Sequence, residues 1–241
     1  MQKFVLIDHG NGITEKHFEN GTIIWFKNEL AHREDGPAIR YHNGIEEWWI
    51  NGHRHRENEP ALIYPNGIKE WYKHGKQHRL DGPAVESPSG NKEWYFEGEL
   101  HRENGPALEH IDGTRKWYKH GKLHKENGPA IEFPNGDKEW YKNGKKHREN
   151  SPAIEKADGD KYWYMNGELH RENGPAIETI SIEEWYINGK QHRYDGPAVV
   201  FMDGYEEYWI NGEEYSKSEW NAYHLNKELP TNNIKHKKIK I

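Results

Sequence analysis

Apolar and polar positions along this chain follow a short period nested in a long one. The short period is strand-like. Lys69-Glu70-Trp71-Tyr72 and Pro83-Ala84-Val85-Glu86 are brief segments bounded by glycine-containing pairs such as Asn66-Gly67 and His74-Gly75. Segments of this length between turn residues read as short β-strands, and Asn-Gly or Asp-Gly suits the type I′ hairpin turn, whose two central residues need positive φ. Such pairs stand at Asn51-Gly52, Asn143-Gly144 and Asn188-Gly189, and again in a second series at Asn66-Gly67, Asp112-Gly113 and Asp203-Gly204.

The long period is 23 residues. A tryptophan stands at Trp25, Trp48, Trp71, Trp94, Trp117, Trp140, Trp163 and Trp185, and a second aromatic follows each: Phe26, Trp49, Tyr72, Tyr95, Tyr118, Tyr141, Tyr164 and Tyr186. Seven residues after each tryptophan comes a histidine: His32, His55, His78, His101, His124, His147, His170 and His192. Arginine follows each histidine except His124, where Lys125 stands instead. The last spacing is 22, and a ninth, incomplete unit begins at Tyr208-Trp209 and lacks the His-Arg pair. The shared pattern is W-Y-x-N-G-x-x-H-R-x-(N/D)-G-P-A-(I/V/L)-E, closed by the second turn.

Recurrent Gly and Pro argue against helix inside the repeats, and Pro, which cannot donate to a ladder, places the Gly-Pro-Ala step at a strand start or bend. Two strands per unit give an antiparallel meander of about 16 to 18 short strands. The expected fold is all-β: an elongated antiparallel β-meander of eight to nine two-stranded repeats with a short C-terminal cap helix. A lone hairpin is not stable in water, so each unit depends on its neighbours. Successive residues of a strand face opposite ways. Trp48, Trp71, Trp94, Trp117, Trp140, Trp163 and Trp185 are accordingly placed inside as a stacked column, with Tyr95, Tyr118 and Tyr141 partly exposed on the other face.

The ends break the pattern. Residues 1–20 read as a degenerate first strand pair that caps the array over 21–215. Ser216 with Glu219 fits a capping box, and Trp220, Tyr223 and Leu225 are placed on one face of a cap helix over 216–229, stopped by Pro230. Residues 230–241 form a basic tail.

Composition sharpens this picture. Hydrophobic residues make up only 33% of the chain and charged residues 31%, a balance that approaches disorder, but 11 Trp, 14 Tyr and 6 Phe argue for a thin, aromatic core. There is no cysteine, which removes disulfides, thiol catalysis and thiolate metal sites. The apolar run Phe4–Ile7 is too short for a signal-peptide core, and no stretch reaches membrane-spanning length, so a soluble cytoplasmic protein is expected. The net charge is −6, and the lysine-rich end from Lys227 carries +4, which leaves the body more acidic still. That argues against nucleic acid gripped along the body.

The 23-residue hairpin unit, with its W-x-x-G step, following histidine and glycine-ended second turn, resembles the MORN repeat family from about Gly21 to Gly212. It departs from the usual MORN pattern in carrying H-R-E-N-G-P-A, and that variant resembles uncharacterised repeat proteins of bacteriophages and large viruses and repeats termed antitoxin-like in bacteria. The resemblance implies the fold, and it implies a scaffold that binds proteins or sometimes lipids.

Candidate chemistry is sparse. Equivalent histidines on alternate strands lie ~9.6 Å apart, too far to share a metal whose ligands sit ~2 Å from it. Ionisable groups repeat identically in every unit, whereas catalysis needs different groups gathered once. No enzyme activity and no cofactor are expected. The arginines Arg79, Arg102, Arg148 and Arg171 stack on aromatic rings in the structural reading, or read an anionic ligand in the functional one, where Glu34, Glu57, Glu103, Glu126, Glu149 and Glu172 weaken their field. Departures from the repeat carry more information: Glu59 and Ser151 replace the loop glycine, Thr179-Ile180-Ser181-Ile182 loses the second turn, and Trp49, Phe96, Met165, Ile187 and Ile210 are candidate contact residues, with Tyr95, Tyr118 and Tyr141 of the exposed column as further binding candidates. The leading expectation is a non-catalytic scaffold for a protein partner, such as a viral accessory protein that inhibits a host defence or toxin component in the host cytoplasm. The alternatives are sequestration of an anionic small ligand such as a nucleotide, and a structural homo-oligomer joined through open sheet edges.

Overall fold

A computed structural model describes residues 3–228. The chain divides into two compact units, Met1–Lys145 and Lys146–Ile241. Each is built on the same antiparallel meander of short strands.

The first unit opens with three longer strands, β1 (Phe4–Gly10), β2 (Ile13–Phe18) and β3 (Ile23–Lys27). β1 and β2 join through the left-handed pair Asn11 (φ 52°) and Gly12 (φ 74°). The repeats follow. In one of them, Leu62–Ile63 pairs with Lys69–Glu70, which pairs in turn with Val85–Glu86 of the next repeat. The chain then leaves this ladder at Trp71, and Tyr72–Lys73 pairs with Lys76–Gln77 in a separate small hairpin. Each repeat therefore gives the long sheet the two strands expected and adds a separate hairpin of two short segments. The break falls at the tryptophan. Its main-chain N–H still reaches across to the Ala84 carbonyl (2.8 Å), while its carbonyl turns to accept the His78 N–H (3.0 Å).

The two turn series differ in type. The first is type I′ as expected: Asn51 and Gly52 have φ of 49° and 76°, and Asn143 and Gly144 have 51° and 83°. The second is not. At Tyr64-Pro65-Asn66-Gly67 only Gly67 is left-handed (φ 85°), with Gly67 N–H on the Tyr64 carbonyl and Tyr64 N–H on the Ile68 carbonyl. That is a type I turn with a glycine bulge, and Pro65 enforces it by holding its own φ negative. The irregular segment near Ile180 keeps its turn as well. Thr179 N–H bonds the Ile182 carbonyl at 3.0 Å, so the missing residue shortens the turn without removing it.

The most deeply buried column is alanine. Ala38, Ala61, Ala84, Ala107 and Ala130 in the first unit, and Ala153, Ala176 and Ala198 in the second, have 0% exposure. Each is pinched between neighbouring strands: Ala84 N–H donates to the Glu93 carbonyl and its own carbonyl accepts from Trp71, both at 2.8 Å. The aliphatic residue after it, such as Leu62, Ile131, Ile154 or Val199, supplies the adjoining apolar layer. Of the tryptophans assigned to the core, Trp71 and Trp163 are buried and Trp48, Trp94, Trp117, Trp140 and Trp185 half-buried. Tyr95, Tyr118 and Tyr141 are half-buried too, so the two aromatic columns do not divide simply into inside and outside. The bend at each tryptophan is the reason: strict alternation of faces holds only along an unbroken strand.

The second unit continues through Val199–Phe201, Glu206–Ile210 and Glu213–Tyr215 into the helix α1 (Lys217–Glu228). Ser216 and Glu219 close a reciprocal capping box: Ser216 N–H donates to the Glu219 carboxylate (2.8 Å) and Glu219 N–H to Ser216 Oγ (3.3 Å). Trp220 packs on Tyr208 and Tyr223 on Tyr215. Leu225 does not share that face. It is 64% exposed, because two residues beyond Tyr223 the helix has turned by about 200°. Pro230 and the basic tail lie outside the described residues. Among the described residues, no helix is long and apolar enough to cross a membrane.

Candidate functional site

The H-R-x-(N/D)-G-P-A loops carry most of the repeated side-chain chemistry. Each arginine folds back over its own repeat. Arg79 lies 4.1 Å above the Trp71 ring, and donates to the Pro83 carbonyl (3.2 Å), Glu86 (2.9 Å) and Asp81 (2.9 Å). Arg102 lies 3.8 Å above Trp94 and donates to the Pro106 carbonyl and to Glu109, both at 3.0 Å. Arg148 donates to the Pro152 carbonyl and Glu155, and Arg171 to the Pro175 carbonyl and Glu178 while lying 3.8 Å above Trp163. Lys125 makes the same stack on Trp117 (3.5 Å) and the same ion pair, with Glu132 (3.1 Å). The carboxylate partner is thus the glutamate seven residues on. The aspartates Asp35, Asp81 and Asp195 are held below the ordinary carboxylate range by the arginine that hydrogen-bonds them.

The loop glycine makes room for this arginine. A Cβ on Gly105 would lie 3.0 Å from the Arg102 guanidinium carbon, and the residue sits at φ 144°. Where Glu59 and Ser151 replace that glycine, the preceding Asn58 and Asn150 take the left-handed conformation instead, at φ 59° and 57°.

The histidines face the other way along the chain, toward the next repeat. His55 Nδ1 accepts the His74 N–H (3.2 Å) and His78 Nδ1 the Glu97 N–H (3.1 Å). His101 and His124 also reach a glutamate through Nε2, Glu103 and Glu126, each at 3.1 Å. Burial and then the nearby His74 push His55 below its ordinary pKa, and burial does the same to His192. Among the described residues, no three His, Asp or Glu side chains gather in metal-binding geometry.

The tyrosines are anchored as well. Tyr95 and Tyr141 donate to Glu93 (2.9 Å) and Glu139 (2.8 Å), two residues before them. Tyr118 has Lys116 at that position; burial, and then the charge of Glu93, raise its pKa. Trp49 is half-buried, its indole N–H 2.6 Å from the buried Glu47, which Arg54 also grips at 2.9 Å.

The loops do leave open grooves between successive repeats. One of them, about 700 Å³, is lined by Leu80, Pro83, Trp94, Phe96, His101 and Arg102 among others. In the second unit, Met165 lines a groove with Trp163, and Ile187 lines one with Trp185 and Tyr194. Phe96, Met165 and Ile187 all occupy the second position after the tryptophan, where Lys73, Lys119 and Lys142 stand in other repeats. Sequence reasoning singled out these three but not Leu80, which is 79% exposed. Its signal was a break in the glutamate column: Leu80 and Tyr194 replace the residue that is Glu103 or Glu126 elsewhere.

No protein-family model matches the chain, and no curated protein matches it.

Proposed function

We propose that this protein is a non-catalytic repeat scaffold that binds a protein partner through its loop face, centred in the first unit on the groove at Leu80 and Phe96. One observation carries the reading: at two positions where other repeats place charge, this repeat pair places exposed apolar side chains, and both line the same groove. Exposed apolar groups gathered in a concave patch with a polar rim are what a protein interface uses. The anionic-ligand alternative draws less support, because the guanidinium groups of Arg79 and Arg102 are already engaged by ring, carbonyl and carboxylate. The resemblance to phage and large-virus repeats extends the proposal to an accessory protein that blocks a host defence or toxin component in the host cytoplasm.

The repeat supplies its own test. Leu80→Glu with Phe96→Lys converts both positions to residues that other repeats carry, so the fold is expected to survive. A partner retained from lysate by the wild-type chain and by a Lys119→Ala control, but lost by the double variant, supports the reading. A partner retained equally by all three refutes the groove. Mass spectrometry of small molecules released from the pure protein tests the anionic-ligand alternative.

A further inference from the structure

Every residue of β1 is exposed, including the consecutive apolar residues Phe4, Val5, Leu6 and Ile7 at 46%, 66%, 54% and 38%. β1 pairs with β2 in the register Phe4↔Phe18 through Asp8↔Thr14. The phase of the hydrogen bonds shows which residues face the open side. Glu19 N–H donates to the Lys3 carbonyl, and on the far side of β2 Asn28 N–H donates to the Gly12 carbonyl. Odd-numbered residues of β2 thus bond toward β1 and even-numbered ones toward β3. In β1, Lys3, Val5 and Ile7 bond inward, and Phe4, Leu6 and Asp8 turn their N–H and C=O groups outward. Among the described residues no strand pairs with these groups, and unpaired main-chain groups flanked by apolar side chains form a template for another strand.

We propose that two copies of this chain associate through β1, antiparallel about a two-fold axis at Leu6. In an antiparallel ladder an outward-bonding residue can pair only with another one. Centring on Leu6 satisfies this for all three: Phe4 with the partner's Asp8, Leu6 with its own copy, and Asp8 with the partner's Phe4. Centring on Val5 sets Asp8 against residue 2, outside the described residues, and centring on Ile7 sets Phe4 against Gly10, which pairs inward with Ile13. The side chains agree with the same register. On the face shared by Phe4, Leu6 and Asp8, Lys16 of β2 holds its ammonium between the Phe4 and Phe26 rings, 5.1 Å and 4.7 Å from their centroids. The partner's Asp8, opposite Phe4, comes within reach of Lys16 when that side chain extends across the Phe4 ring, and the two-fold axis repeats the ion pair. On the opposite face Val5 meets the partner's Ile7, an apolar cross-strand pair. A two-fold strand pairing is isologous and closes on itself, so it yields a dimer and not a filament.

The contact is a single strand edge, so a roughly micromolar or weaker dissociation constant is expected and a concentration series is needed. Sedimentation equilibrium on the full chain is expected to show reversible dimerisation. Leu6→Lys places two ammonium groups across the axis and should raise the dissociation constant tenfold or more. Because Leu6 is exposed, circular dichroism should be unchanged. Asp8→Lys and Lys16→Asp should each weaken the dimer, and the double variant should restore it to within about threefold of wild type. Three results each overturn the proposal: a monomer up to ~1 mM, a dimer indifferent to Leu6→Lys, or a charge swap without rescue. A monomer that nevertheless binds an added peptide of β1 sequence would assign the edge to a foreign strand.

Discussion

His101 Nδ1 lies 3.1 Å from the main-chain nitrogen of His120, which is 19 residues along the chain in the next repeat. The same relationship recurs within the first unit from His32 to Asn51 and His124 to Asn143, and within the second from His147 to Asn166 and His192 to Asn211. The donor is always the first residue of a type I′ turn, held at positive φ. Its N–H points away from its own hairpin. The neighbouring Gly121 N–H is taken by the Leu100 carbonyl at 2.9 Å, so both central residues of this turn are fixed by the preceding repeat. The histidine is therefore a coupling between repeats. It requires Nδ1 to carry no proton, and the 3.1 Å contact with Glu103 supplies an acceptor for a proton on Nε2.

His101→Ala removes this coupling and leaves the His120 N–H with water alone. The expected loss is about 1–3 kcal/mol in denaturant unfolding. Amide exchange at residue 120 should accelerate more than exchange at the corresponding turn residues of distant repeats. Uniform acceleration across the first unit would mean that the ring acts by packing and not through this bond.

A pH dependence follows from His55 and His192, whose pKa values in the folded chain lie below the ordinary 6.5. The unfolded chain takes up the proton first as pH falls. The stability from these groups is therefore complete above pH 6.5 and is lost as pH drops through the lower folded values. The unfolding midpoint should be flat above neutrality and decline below pH 6.5, before carboxylate protonation begins at about pH 4–5. His192→Gln, whose amide oxygen can accept the Asn211 N–H without titrating, should flatten part of that decline.

Much of this architecture was legible because a repeat averages out local noise. The all-β meander, the type I′ turns of the first series such as Asn51-Gly52, and the Ser216–Glu219 cap each follow from residue types at fixed offsets. The bend at Trp71 was not legible, because nothing in Glu-Trp-Tyr-Lys marks a strand break; the backbone turns there to serve the Ala84 carbonyl and the His78 N–H together. The alanine column hid for a related reason: a small residue after proline reads as part of a turn until its neighbours close around it. The arginine stack on tryptophan was foreseeable from chemistry, but its glutamate lies seven residues on, across the loop, at a spacing no local rule pairs. The groove at Leu80 and Phe96 joins two departures 16 residues apart, which only the hairpin geometry brings together.

The alanine column sets a steric limit. Ala107 has no exposure and sits with its carbonyl 2.7 Å from the Trp94 nitrogen. Ala107→Val should destabilise by about 1–3 kcal/mol through overpacking, even though valine favours strands. A thermal melt against Leu108→Val, which changes the adjacent aliphatic position without adding bulk, isolates the effect. Unchanged stability in Ala107→Val would mean that the strands can part to admit two more methyl groups.

The arginine column offers an internal control, because nature has already made the conservative change at Lys125. Lys125 keeps the stack on Trp117 and the ion pair with Glu132. Arg102 adds a hydrogen bond to the Pro106 carbonyl and a flat guanidinium beneath Gly105. Arg102→Lys should then cost only about 0.5–1.5 kcal/mol, the value of one net hydrogen bond. Arg102→Ala also removes the cation over Trp94 and leaves Glu109 unpaired, so its cost should reach about 2–3 kcal/mol. Lys125→Arg is expected to stabilise slightly, since the loop around Gly128 has the same arrangement of glycine and proline. Denaturant unfolding of the three variants decides the role of the column. The order Lys125→Arg, wild type, Arg102→Lys, Arg102→Ala, from most to least stable, assigns these cations to holding the loops. If Arg102→Ala is as stable as wild type, the guanidinium does not hold its loop, and the arginine stripe returns as a surface for an anionic partner.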